Sequence, residues 1–168
     1  MDLQDIKTPG LSCDLHDNPD IKERELALSH KILMSVEKPA RYIGGESGSV
    51  IKDKEKVSVR FAFCFPDSYD IGMSHLGMKI LYSLTNQRED YWCERVFAPG
   101  IDFEEIMRRE NIPLYALESL DPVKDFDFIG FTMQYELSYT NVLNMLDLAG
   151  LPVFAKDRGD ELFNIVVA

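Results

Sequence analysis

The chain of 168 residues contains no apolar run near the roughly 18 residues that a membrane span needs, so a helical membrane anchor is not expected. Cysteine is scarce: Cys13, Cys64 and Cys93 are odd in number and widely spaced, which excludes a disulfide framework and a zinc site of paired cysteines. Reduced thiols in a cytoplasmic protein fit that usage better. Basic charge is also short. The 18 Lys and Arg against 29 Asp and Glu leave a net charge of −11, which opposes a phosphate backbone at long range; nucleic-acid binding through bulk charge is therefore not expected. The opening MDLQDIKTPG is polar and has no apolar signal core, so nothing marks the chain for export.

Nucleotide signatures are lacking too. GGESGSV, residues 44–50, has the glycines of a phosphate loop but not its Lys-Ser/Thr pair, and no strand precedes it. It reads as a turn in which Gly44, Gly45 and Gly48 supply positive φ, with Arg41 and Tyr42 packed on a sheet edge. FPDSYDIG offers one glycine in a tight turn where a dinucleotide binder needs G-x-G-x-x-G. A phosphoacceptor aspartate is missing from the end of the third strand, where Thr132 and Met133 stand.

What is present is a soluble composition, 45% hydrophobic and 28% charged, and a repeated strand-helix pattern. In residues 57–65 Val57, Val59, Phe61, Phe63 and Phe65 alternate with smaller residues, as a strand buried on both faces does. A loop follows, Pro66 to Ser74. Then comes a helix with Leu76, Ile80 and Leu84 on its buried face, Gly77 and Leu81 beside them, and Ser74 as N-cap.

Tyr91 to Phe97 reads as a second strand. Asp102 and Glu105 form a capping-box variant for a helix whose buried face is Phe103, Ile106 and Met107 and which ends near Asn111. Pro113 to Leu117 is extended, and Phe126 to Met133 is the strongest later strand. The helix after it buries Val142, Met145, Leu146 and Ala149, with Gly150 as a left-handed cap. Asn164 to Ala168 opens a fourth strand.

Upstream, residues 1–18 lack periodicity and read as a poorly ordered lead-in. Residues 19–56 hold a helix from Pro19 that stops before Pro39 (Ile21, Leu26, Leu28, Ile32, Leu33, Val36), then the glycine-rich loop. Residues 57–168 form the main domain. The expected fold is α/β, a three-layer Rossmann-like or flavodoxin-like parallel sheet, incomplete at its C-terminal side, with an N-terminal helix appendage.

Three blocks carry a resemblance. EKPARYIGGE, FPDSYDIGMSHLGMKILY and IGFTMQYELSYTNVLNMLDLAGLPVFAKDR together resemble the N-terminal region of an uncharacterised family of radical SAM proteins, in which a cobalamin-binding-like α/β domain precedes a radical SAM barrel. The resemblance implies a full-length enzyme that uses a [4Fe-4S] cluster and S-adenosylmethionine. Such a cluster needs CxxxCxxC, which Cys13, Cys64 and Cys93 do not make, so the fragment alone is expected to be inactive. Its expected partner is the barrel of the same polypeptide.

Cobalamin ligated by histidine is disfavoured, because Asp70 stands five residues before His75 where a DxHxxG loop needs two. Cobalamin without histidine ligation stays open. In open α/β sheets ligands bind at the carboxyl ends of strands, which makes Asp67, Ser68, Tyr69, Asp70, Gly72, Ser74, Thr132, Gln134 and Tyr135 the candidate cofactor-binding residues. The alternative is a non-catalytic interaction module that presents a partner or a macromolecular substrate.

Overall fold

The computed structural model describes residues 30–158 and 165–168. Four parallel strands, β1 (Val59–Phe65), β2 (Tyr91–Phe97), β3 (Phe128–Phe131) and β4 (Ile165–Val167), form one sheet in the order β2-β1-β3-β4. The expected lead-in of residues 1–18, and residues 19–29 of the expected first helix, lie outside the described residues. From that helix the structure describes α1 (His30–Leu33) and the buried Val36.

Alternation along the strands feeds two cores. Ala62, Cys64 and Val96 face α4 (Ile101–Glu110) and α5 (Ser138–Leu148), meeting Phe103, Ile106, Met107, Met145 and Leu146. Phe63, Phe65, Cys93 and Phe97 face the opposite way, under α2 (Tyr69–Ser74) and α3 (Leu76–Asn86), meeting Met78 and Tyr82. The chain steps from β1 to β2, then back across β1 to β3. Crossovers of one hand must then change face, which is why α4 and α5 share a layer opposite α3.

Several local expectations hold. Gly44, Gly45, Gly48 and Gly150 have φ of +66, +81, +83 and +70°, and Asn111 closes α4 in the left-handed region at +56°. Leu151 N–H reaches back to Leu146 O at 2.9 Å, as a Schellman-type end requires.

Others are corrected. The stretch Pro66 to Ser74 is not all loop, because Tyr69–Ser74 is helical. Ser74 does not cap α3: its hydroxyl donates to Asp70 O, and His75 is the cap, its Nδ1 accepting from Met78 N–H at 3.2 Å. The buried face of α3 is Met78 and Tyr82, whereas Leu76, Ile80, Leu81 and Leu84 point to solvent. Both faces of this helix are apolar, so periodicity alone could not choose between them.

Helix α4 starts at Ile101 with Gly100 as cap, and Asp102 spends its carboxylate on the N–H groups of Phe103 and Glu37 rather than on a capping box. Tyr42 stacks on Phe103 of α4, ring centroids 4.1 Å apart, instead of on a sheet edge.

The outer edge of β2 is closed by side chains. Cys93 exchanges two hydrogen bonds with the Asn86 amide at 2.9 and 3.0 Å, and Lys52 donates to Tyr91 O. Arg95 N–H donates to Glu118 Oε2 at 2.7 Å, and Arg95 O accepts from Leu117 N–H at 2.9 Å. Pairing of this kind removes the free ladder groups through which edge strands aggregate.

Candidate functional site

The reversal between β1 and β3 is the topological switch point of the sheet, and open α/β sheets place their crevice at the strand ends there. Phe65–Pro66 and Phe131–Thr132 end side by side, with Thr132 N–H donating to Cys64 O at 3.1 Å. The loops that follow are tied together at Asp67. Its Oδ1 accepts from Ser68 N–H at 2.7 Å, its Oδ2 from the Tyr135 hydroxyl at 2.9 Å, and its backbone O from Ala98 N–H at 3.1 Å. Asn141, one turn into α5, adds a bond from Nδ2 to Pro66 O at 2.9 Å.

The ends of three strands therefore share one fixed rim. The hydrogen bond to Asp67 also raises the Tyr135 phenol above its ordinary value, since ionising it would forfeit that bond and set two negative charges together.

Thr132 directly follows β3, its Oγ1 buried and without a hydrogen-bond partner among the described residues. A buried orphan hydroxyl costs free energy unless something pairs it, so it is a polar atom at the strand ends left to be satisfied among the described residues.

The remaining predicted residues separate into different surroundings. Ser68 holds the extended position before α2 and, with Tyr69, lines a cavity of about 30 Å³ that also touches Tyr42, Phe97 and Gly100. Tyr69 sets its ring edge-on to Phe97 at 5.5 Å, and burial, followed by the nearby Glu46, raises its hydroxyl.

Asp70 turns away from the crevice to Arg41, with Lys38 at 4.0 Å, so it anchors the segment leading into the domain. Ser74 lies on that same outer turn. Gly72 is buried where a Cβ would come within 2.2 Å of Phe97 Cε1, so it serves the close seating of α2 on the sheet. Gln134 is exposed beside Tyr135.

Of the residues predicted from sequence, the structure joins Asp67 and Tyr135 directly, and Asn141 ties the same rim at Pro66, a bond that sequence reading did not find. It also missed two buried ion pairs. Glu94, fully buried, meets Arg60 at 2.5 Å under the rings of Phe126 and Trp92. Glu118 meets Arg95 at 2.6 Å. Burial raises both carboxyls against the pull of their arginines. The adjacent Glu94 and Arg95 inside an apolar strand were the available signal.

No group of three or more His, Cys, Asp or Glu is placed to hold a metal ion among the described residues. The residues do not fit a [4Fe-4S] cluster, because Cys64 and Cys93 are buried in opposite cores and Cys13 lies outside the described residues. Nor do they fit a histidine-ligated cobalt. His75 is engaged as a helix cap and sits 5.3 Å from the Phe65 ring, and Asp70 is taken by Arg41. Among the described residues no helix is long and apolar enough to cross a membrane.

Against curated proteins and solved structures the chain has no match. The family model described as radical SAM proteins, N-terminal, matches residues 77–168, from the first turn of α3 through β4 and including Thr132, Gln134 and Tyr135. That span covers more than half of the chain, the parallel order of the sheet agrees with the α/β architecture expected above, and so the chain belongs to the N-terminal region of radical SAM proteins.

Proposed function

We propose that this domain is the accessory N-terminal part of a radical SAM iron-sulfur enzyme and that its switch-point rim docks on the catalytic barrel of the same polypeptide, shielding a radical from solvent. The carrying observation is the character of that rim. Ile101 and Leu137 are 80% and 79% exposed, and Ile71, Tyr135 and Tyr139 join them at the same end of the sheet. Large apolar side chains concentrated on loops that are themselves tightly bonded suit a contact surface better than a solvated one.

The chain supplies no cluster ligand and performs no chemistry in this reading. It excludes water and positions the neighbouring domain. The corrin spectrum of the same preparation tests for cobalamin held without a protein ligand to cobalt.

The experiment is anaerobic purification of the full-length protein, with assays for iron, sulfide and reductive cleavage of S-adenosylmethionine. The proposal expects iron and sulfide in the wild type, and faster bleaching of the cluster by oxygen in Leu137→Asp, where the rim is made hydrophilic. Absence of iron and sulfide would favour a non-catalytic interaction module. Identical bleaching in wild type and variant would remove the shielding role.

A further inference from the structure

The outward face of α3 is unlike the surface of an acidic protein. Leu76, Ile80 and Leu84 recur every fourth residue and are 69%, 56% and 59% exposed, with Leu81 beside them at 51%. The opposite face of the same helix already packs Met78 and Tyr82 on the sheet. A helix apolar on both faces normally lies between two layers, and among the described residues only one is present.

We propose that this face is a contact between two copies of the chain, packed antiparallel about a two-fold axis at Ile80. Three observations select a second copy. Ile80 is the midpoint between Leu76 and Leu84, so rotation about it sets Leu76 of one copy against Leu84 of the other and Ile80 against itself, the self-complementarity that a two-fold interface demands.

Charge is the second. Leu76–Asn86 carries no acidic residue, and Lys79 is its one charged side chain, in a chain of net charge −11. Two such chains repel at long range, and this helix brings no carboxylate to the contact.

Area is the third. Four side chains exposed by half or more supply a few hundred Å² of apolar surface, which suits the centre of the roughly 800 Å² that each partner contributes to a stable dimer. Gly77 and Ser83, flanking the stripe, let the helices approach closely.

The test is sedimentation velocity on the intact protein from about 1 µM to about 100 µM, at low and at high salt. The proposal expects a mass that approaches two chains at the upper concentrations and falls on dilution. It also expects tighter association at high salt, because screening weakens the repulsion between acidic copies. Ile80→Glu should weaken self-association by about a hundredfold, since a symmetric contact counts each change twice, while the melting temperature stays that of the wild type.

Ile80→Lys should do the same, and mixing the Glu and Lys variants should restore a dimer of one copy each. A folding defect could not produce that restoration. A wild type that stays monomeric throughout, or variants that associate as the wild type does, would overturn the proposal. So would a mixture that fails to pair.

Discussion

Replacing Glu118 by alanine tests whether the closed edge of β2 is an energetic feature of the fold. The Glu118 carboxylate is fully buried; one oxygen accepts from Arg95 N–H at 2.7 Å and the other from Arg95 Nε at 2.6 Å, while the Arg95 side chain is 9% exposed. Removing it strands a buried guanidinium, with Ser49 at 2.8 Å, Met73 Sδ at 3.3 Å and Glu46 at 3.5 Å as its remaining partners, and leaves an outward strand N–H unpaired.

Breaking a buried pair from one side costs about 3–5 kcal/mol, against about 5–15 kcal/mol for a whole domain. At about 2–4 °C per kcal/mol, the melting temperature should fall by roughly 10 °C. Trp92, the single tryptophan and 2% exposed, reports unfolding by fluorescence in a urea titration.

Glu118→Leu combined with Arg95→Met removes both charges of the pair and leaves the strand N–H unpaired and Glu46 without its arginine, so it should still cost less than the single change, about 2 kcal/mol. A loss under about 1 kcal/mol for Glu118→Ala, or a double variant as damaged as the single one, would refute the reasoning.

Two further outcomes follow from the same buried polar groups. Thr132→Val replaces an orphan hydroxyl by a methyl of the same shape and should raise stability by about 1 kcal/mol in urea titration, whereas a loss would mean that the hydroxyl is paired. Burial, only partly offset by Arg60 and Ser119, raises the Glu94 carboxyl above its ordinary 4.5. Between 4.5 and that raised value the folded chain holds a proton that the unfolded chain has released. This contribution is therefore complete below the unfolded value and is lost as pH rises through the folded one. The stability difference between wild type and Glu94→Gln should change across that window, and a difference independent of pH would exclude the linkage.

The strands were legible in the sequence because a strand buried on both faces has few other ways to read. Tyr91 to Phe97 emerged with its bounds unchanged, and Phe126 to Met133 shortened to the four residues that pair. Helix α3 was misread on its face. Leu76, Ile80 and Leu84 have the right spacing for burial, but Met78 and Tyr82 have it too, and the choice is made by which face meets Phe63 and Phe65. The capping residues were misread, by one position at Ser74 and by two at Asp102, because these side chains found other partners, Asp70 O and Glu37 N–H, the second of them 65 positions away. Long-range pairs such as Arg95 with Glu118 leave no periodic trace at all.

The same physics separates two uses of the switch-point rim. A site that admits a ligand into its crevice must part the lips, and here the lips are bonded: Tyr135 to Asp67, Asn141 to Pro66, Ala98 to Asp67. Each bond is individually modest, about 1 kcal/mol, yet together they fix three strand ends as one unit. Fixing the backbone beforehand lowers the entropy cost of meeting another rigid surface and adds to the cost of opening for a small molecule. Ile71, Ile101, Leu137 and Tyr139 stand outside those bonds, free to be covered without breaking any of them. The arrangement favours a rim that is covered over one that opens, which is the physical reason for proposing that a neighbouring domain, rather than a deeply inserted ligand, lies against it.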